Sequence, residues 1–278
     1  MAYGIGANDV ANAMGTSVGS KALSLTQALV IASIFTFMGA YFAGAEVTTT
    51  IRENIVPPEL FNDDPSVFIL GMLSSLLAAG TWLLFATMFG WPVSTTHSII
   101  GAIAGFSIYY IGWSSVRWEY IGGVTITWLI VPFVAALLSG LIYSSAKRFI
   151  INAKDPLESG RSYIPVYAGL VGFLICGITL TKSLANTDIP VLITQYFGDQ
   201  DVIAANIGIS FFVALMCYGI SRLILSHYLS TSSDPNIEGK FAVLMIFTAC
   251  SIAFAHGSND IANAVGPMAA IISTIENL

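Results

Sequence analysis

Gly6-Ala7-Asn8-Asp9-Val10-Ala11-Asn12-Ala13-Met14-Gly15 lies near one end of the chain, and Gly257-Ser258-Asn259-Asp260-Ile261-Ala262-Asn263-Ala264-Val265-Gly266 nearly repeats it at the other. Each stretch sets a carboxylate and two amides inside a long apolar run. An Asp at the centre of a membrane helix costs ~2.5–3.5 kcal/mol on insertion scales. A cost met twice, at matching positions, points to a pseudo-symmetric site between related halves of a membrane protein.

The composition around these stretches agrees. Apolar residues make up 55% of the chain and charged residues 9%, too few to cover the surface of a soluble domain of this length, where about a quarter is charged. Runs of about 20 apolar residues span a hydrocarbon core of ~30 Å. Six such runs are expected as membrane helices: Ser24–Ala45, Ser66–Phe89, Tyr120–Phe149, Ile164–Leu184, Val202–Leu229 and Phe241–Ile275. Pro92–Ile111 is a seventh apolar run of a different kind. Period-2 alternation, the mark of a membrane β-barrel, is absent. The net charge of −6 lies mostly in connecting segments, and no basic patch offers itself to nucleic acid. Cys176, Cys217 and Cys250 sit inside apolar runs at spacings that fit no metal pattern, and read as small core residues. No cleavable signal peptide is visible.

Lys147, Arg148, Lys154 and Arg161 form the densest basic loop, which the positive-inside rule assigns to the cytoplasm. Ala185–Asp201 then falls outside and Ser230–Gly239 returns inside. In Pro92–Ile111, Trp91-Pro92 ends the preceding helix and Ser94-Thr95-Thr96-His97 sets four polar side chains in a row. Gly101, Gly105 and Gly112 would permit tight turns. The segment either spans or dips in and returns as a re-entrant hairpin; the polar run favours the hairpin, since irregular backbone survives at depth only around a protein-enclosed cavity. Trp91, Trp113 and Trp118 sit near run ends as interfacial anchors. Gly15-x-x-x-Gly19 and Gly101-x-x-x-Gly105 would let helices pack closely.

Asp9 and Asn12 lie three apart and share a helix face, as do Asp260 and Asn263. A carboxylate with amide oxygens suits a hard cation such as Na⁺, and the carboxylate alone carries a proton. Gly4, Gly6 and Gly15 are expected to weaken the helix and free backbone carbonyls, as in discontinuous transporter helices. The plainer reading, a buried Asp capping a broken helix, loses ground because the pattern occurs twice. Ser94, Thr95 and Thr96 offer hydroxyls and backbone N–H groups where a helix restarts, a combination that attracts oxyanions; its plain rival is hydroxyl-mediated packing. No Lys or Arg sits mid-run, since Lys182 and Arg222 lie near run ends and can snorkel. An anion held there needs cations or protons to enter with it, so symport follows if the cargo is an anion. His97 reads as a hydrogen-bonding partner, His256 as structural and His227 as solvated.

Taken together, the Gly6–Ala13 and Gly257–Ala264 signatures and Pro92-Val-Ser-Thr-Thr-His97 resemble the inorganic phosphate transporter (PiT) family over essentially the whole chain. The resemblance implies an all-α polytopic fold with inverted repeats, discontinuous helices and a re-entrant hairpin. It implies phosphate symport driven by Na⁺ or H⁺ across the cell membrane, with no prosthetic group and no enzyme activity. By position, Asp9, Asn12, Asp260 and Asn263 match the cation-site motif, Ser94, Thr95 and Thr96 match the phosphate-site motif, and Asn8 and Asn259 belong to the signature. One transport domain over residues 1–278 is expected, its second repeat beginning near residue 241. The family repeats the Pro-Val-Ser-Thr-Thr-His segment after the second signature, and none follows Gly266 here; the start of the first helix is also missing. The chain is thus expected to be a fragment, a truncated gene model or a split subunit, forming a homo-oligomer or taking its missing C-terminal segment from another chain. Implied partners are phosphate, the coupling cation and the bilayer.

Three rivals remain. Sulfate is also a tetrahedral oxyanion. An anion channel also lines re-entrant segments with hydroxyls. Gly15-Thr-Ser17-Val-Gly19 matches a hydrolase nucleophile pattern with His97 and His256 as bases, but that motif needs a strand–turn–helix context.

Overall fold

The computed structural model describes residues 1–44, 55–183, 202–231 and 237–276, with the backbone course alone given for 182–183, 227–231 and 237–244. The acidic loop at 185–201, residues 232–236 of the loop at 230–239 and the side chains of Lys182 and His227 therefore lie outside the described residues. The described chain is helical, in eight α-helices with short 3₁₀ and π turns between them: α1 Ala2–Gly19, α2 Leu25–Ala43, α3 Pro65–Met88, α4 Thr95–Tyr110, α5 Trp118–Ala146, α6 Pro156–Ile178, α7 Val202–Thr231 and α8 Ile237–Glu276. Five helical segments are long and apolar enough to cross a membrane: Leu25–Ala43, Pro65–Met88, Trp118–Ile151, Pro156–Thr181 and Val202–Ser226. They match the first five expected runs to within a few residues at most ends.

Local chemistry sets the ends. Ser24 and Gln27 form a reciprocal capping box before α2: Ser24 N–H donates to Gln27 Oε1 at 3.0 Å, and Gln27 N–H to Ser24 Oγ at 3.3 Å, satisfying donors that the first helical turn leaves open. Asp155 caps α6, its Oδ1 accepting from the N–H groups of Leu157 and Glu158 at 3.1 Å each. Pro156 follows at the first helical position, where its missing N–H costs nothing. Glu158 and Arg161, expected in a loop, therefore belong to α6, which starts eight residues before the apolar run at Ile164.

The residues group into two compact units. One comprises Trp128–Ile252 with Thr16–Ala28. Here α6 lays a small-residue face on α7: a Cβ at Gly172 would stand 2.7 Å from Cys217 Sγ, and one at Gly169 would stand 3.1 Å from the Ala214 carbonyl oxygen. Ile150, Ile164 and Leu225 close a small core with Tyr167, whose hydroxyl lies 2.7 Å from Ser145 Oγ. No side chain of α5 is buried.

The other unit comprises Met1–Gly15, Leu29–Thr127 and Ala253–Leu278. Its centre is a hairpin whose arms are α3 and α4. Phe61 stacks on Phe106 and Tyr110 and packs at a tilt on Phe68, so the end of α4 returns to the start of α3. Arg117 N–H donates to the Ile55 carbonyl at 3.1 Å, closing the loop. The reversal sits at Phe89–Ser94. Gly90 has φ +67°, its N–H reaches Thr87 O at 3.1 Å, and Trp91 N–H reaches Ala86 O at 2.8 Å. These are the paired bonds of a Schellman stop, which favours glycine at the left-handed position. Ser94 then caps α4, accepting from His97 N–H at 3.2 Å.

This corrects the expectation of a hairpin inside Pro92–Ile111. That segment is one unbroken helix from Thr95 onward, and the turn precedes it. Gly101 and Gly105 stay helical and face open space, because a helix at depth keeps every backbone bond internal. The same reason corrects the expected breaks at the signatures: α1 and α8 run through them without interruption. Neither Gly15-x-x-x-Gly19 nor Gly101-x-x-x-Gly105 meets a neighbour among the described residues. The close crossing lies elsewhere, where a Cβ on Gly39 would overlap the Phe254 carbonyl of α8 and one on Gly257 would overlap the Thr36 carbonyl of α2. Thr36 Oγ1 also donates to Ala253 O at 3.3 Å.

Gly39→Ala is expected to destabilise by about 2 kcal/mol, the scale of overpacking against unyielding backbone, and to lower the melting temperature in detergent. Gly101→Ala, facing open space in a helix, is expected to stabilise by about 0.5–1 kcal/mol. Thermal melts of the two variants side by side check both signs.

Candidate functional site

The two signature carboxylates meet. Asp9 on α1 is 5% exposed, and its Oδ2 lies 3.7 Å from His256 Nε2 on α8. The same nitrogen lies 2.8 Å from Asp260 Oδ2, one turn further along α8. The imidazole thus stands between two carboxylates. One ligand atom from each of Asp9, His256 and Asp260 falls within 4.8 Å of the others. No Lys or Arg occurs in α1, in α4 or in the 245–276 part of α8.

The amides divide between tasks. Asn12 Nδ2 donates to Asp9 Oδ1 at 3.4 Å, and Asn259 Nδ2 donates to Asp260 Oδ1 at 3.4 Å. Asn263 is 1% exposed. Its Nδ2 donates to Thr96 Oγ1 at 3.0 Å, to Thr95 Oγ1 at 3.2 Å and, at the limit, to Asp260 Oδ1 at 3.5 Å. Its Oδ1 is buried without a partner. Of the residues expected at the cation and anion sites, the structure therefore brings Asp9, Asn12, Asp260, Asn263, Thr95 and Thr96 into one connected cluster.

Ser94, Thr95 and Thr96 stand at the start of α4, where N–H groups lack intrahelical acceptors. Ser94 Oγ holds one of them, that of His97. Thr95 and Thr96 accept from Asn263, so their own O–H groups are left to donate. Asn8 departs from expectation: its Nδ2 reaches Thr87 Oγ1 at 3.3 Å and Trp91 O at 3.2 Å, on the hairpin turn.

The donor set suits a hard cation: carboxylate oxygens plus an unmatched buried amide oxygen. An imidazole is a poor ligand for such an ion but can share a proton with a neighbouring carboxylate. His256, read as structural from the sequence, thus lies within the candidate site. The available signal was its position four before Asp260, one helical turn away; the corresponding place before Asp9 holds Ile5. His256 and Asp260 also line a cavity of about 310 Å³ together with Gly6, Thr36, Phe37 and Ile261. Ser17 is buried in α1 with helix on both sides, so the strand–turn–helix setting of a hydrolase nucleophile is not there.

A family model described as the phosphate transporter family matches residues 5–277. The chain belongs to that family. Among relatives, a protein of Haemophilus influenzae provisionally named a phosphate permease is 41% identical over 276 residues, covering 99% of this chain and 64% of its own length. Inorganic phosphate transporter 2-1 of Arabidopsis thaliana, a chloroplast protein, is 35% identical over 304 residues, covering 100% of this chain and 49% of its own. A solved structure described as the sodium-dependent phosphate transporter superposes with a TM-score of 0.87 at 31% identity, covering 99% of this chain and 65% of that one. This phosphate transporter family chain thus spans about half to two thirds of the length of these relatives. It is an all-helical membrane protein of a transporter family, not of an enzyme family.

Asn263 and Thr96 are expected to be energetically coupled. In a double-mutant cycle of Asn263→Ala and Thr96→Val, followed by chemical unfolding in detergent, the coupling energy should be about 1 kcal/mol, the net worth of one neutral hydrogen bond.

Proposed function

We propose that this chain forms the cation- and anion-binding part of a secondary transporter that carries inorganic phosphate into the cell with Na⁺. The observation that carries the reading is Asn263: one amide touches Asp260, a cation ligand by chemistry, and Thr95 and Thr96, anion donors by chemistry. The solved relative's description as sodium-dependent supports Na⁺ over H⁺.

The roles follow from charge. Asp9 and Asp260 place two negative groups beside the start of α4. Phosphate brought there alone would meet only hydroxyls, N–H groups and the positive helix end, against the repulsion of both carboxylates. Na⁺ held beside His256 by oxygens of Asp9, Asp260, Asn12 and the free Asn263 Oδ1 reverses that balance, so anion affinity rises with cation occupancy. Asn263 turns the Thr95 and Thr96 hydroxyl hydrogens outward, toward oxygen atoms of the anion. Ser94 and the open α4 N–H groups complete this side, and Asn259 steadies Asp260. The two signatures make inverted repeats the natural framework for alternating access in a multi-pass protein of the cell membrane.

In proteoliposomes, binding and uptake of labelled phosphate should rise with Na⁺ and resist competition by sulfate. Asp9→Asn and Asp260→Asn should each cut Na⁺-stimulated phosphate binding by about tenfold or more, the scale of a lost charge-assisted contact, with helicity by circular dichroism unchanged. Thr95→Val should weaken phosphate more than Na⁺. Phosphate binding indifferent to Na⁺ but driven by a pH gradient would transfer the coupling to protons, and indifference to both would overturn symport.

A further inference from the structure

Asn8 sits beside Asp9 in sequence, yet its amide points at the hairpin turn and not at the carboxylates. We propose that Asn8 is a positioning residue for the anion site: it fastens the turn Phe89–Ser94 to α1 and so sets where Thr95 and Thr96 stand. The inference rests on the phosphate reading above and adds a residue that acts on the anion through the backbone.

The turn's own bonds leave two acceptors for Asn8. Gly90 N–H and Trp91 N–H are spent on the end of α3. The Thr87 hydroxyl donates to Leu83 O at 2.8 Å, so its oxygen still accepts. The Schellman bonds use the Thr87 and Ala86 carbonyls and leave that of Trp91, and Pro92 after it has no N–H to offer. The two hydrogens of one amide group match these two acceptors, Thr87 Oγ1 and Trp91 O. Three residues after Trp91 comes Ser94, the cap of α4.

The far side of the turn is held by Asn263 on Thr95 and Thr96. The turn is thus tied at its start by an amide of the first signature and at its end by an amide of the second. Asn8 is the immediate neighbour of Asp9, and Asn263 is one helical turn from Asp260. A shift of Asp9 toward an arriving cation passes to the turn through the adjacent residue of the same rigid helix. Asn8 therefore links cation occupancy to the placement of the anion donors without ligating either ion.

The test compares the 278-residue chain in nanodiscs with Asn8→Ala, Asn8→Asp and Asn8→Gln. Asn8→Asp keeps the size and supplies a better cation ligand, but it removes both donors and sets a negative oxygen against Trp91 O. The expected result is phosphate binding at saturating Na⁺ weakened about tenfold in Asn8→Ala and Asn8→Asp, the effect of losing about two neutral hydrogen bonds. Labelled Na⁺ binding without phosphate should stay within about twofold. Amide hydrogen exchange over residues 89–97 should quicken in both variants, with or without phosphate, and Asn8→Gln, which keeps the donors, should recover part of each loss. Asn8→Asp binding Na⁺ more tightly with phosphate affinity unchanged would overturn the proposal and make Asn8 a cation ligand. Unchanged exchange across the turn would overturn it whatever the binding data. A wild-type chain that binds no phosphate would sink the phosphate reading alone, because the exchange measurement still decides whether Asn8 fastens the turn.

Discussion

A buried primary amide needs partners on both its faces, and in the apolar interior of a membrane protein they are scarce. Asn263 meets that need on one face only. Its two hydrogens are spread over two threonine hydroxyls and a carboxylate, and its oxygen is sealed off without a donor. An apolar side chain there could not bond the start of α4 to α8. The same side chain thus builds the fold locally and leaves part of its capacity unspent for a ligand.

That arrangement works only because backbone elements approach closely and stop abruptly where they should. α2 and α8 touch through Gly39 and Gly257 with no side chain between them, which brings Thr36 against the stretch carrying His256 and Asp260. At the hairpin, a glycine with φ +67° ends α3, a proline prevents its continuation, and a serine cap starts α4. Reversal takes only a few residues, so the polar start of α4 stays at the depth of the carboxylates.

The parts legible in the sequence were those whose cost is visible without a partner. Asp9 and Asp260 announce themselves because carboxylates in apolar runs need a reason, and five spans announce themselves by length. The start of α6 was missed because Glu158 and Arg161 weighed as loop residues, although Asp155-Pro156 is a readable helix start. The hairpin was misplaced because Gly101 and Gly105 suggest bends, whereas internal backbone bonding keeps them helical. His256 was undervalued because one of its two carboxylate partners comes from another helix. The task of Asn8 was illegible for a stronger reason: one of its acceptors is a main-chain oxygen 83 residues away, and any residue type provides that atom.

The helix after the hairpin carries a consequence of another kind. Trp118–Ile151 runs for 34 residues with none of its most apolar stretch buried, which makes it ~50 Å long at 1.5 Å per residue. A hydrocarbon layer of ~30 Å cannot enclose such a rod upright. It must lean or push its ends into the headgroups, and it is oily on every side, so its own chemistry favours no particular roll. Its slope is set by that thickness together with the packing of its far end, where Ser145 and Ile150 meet α6.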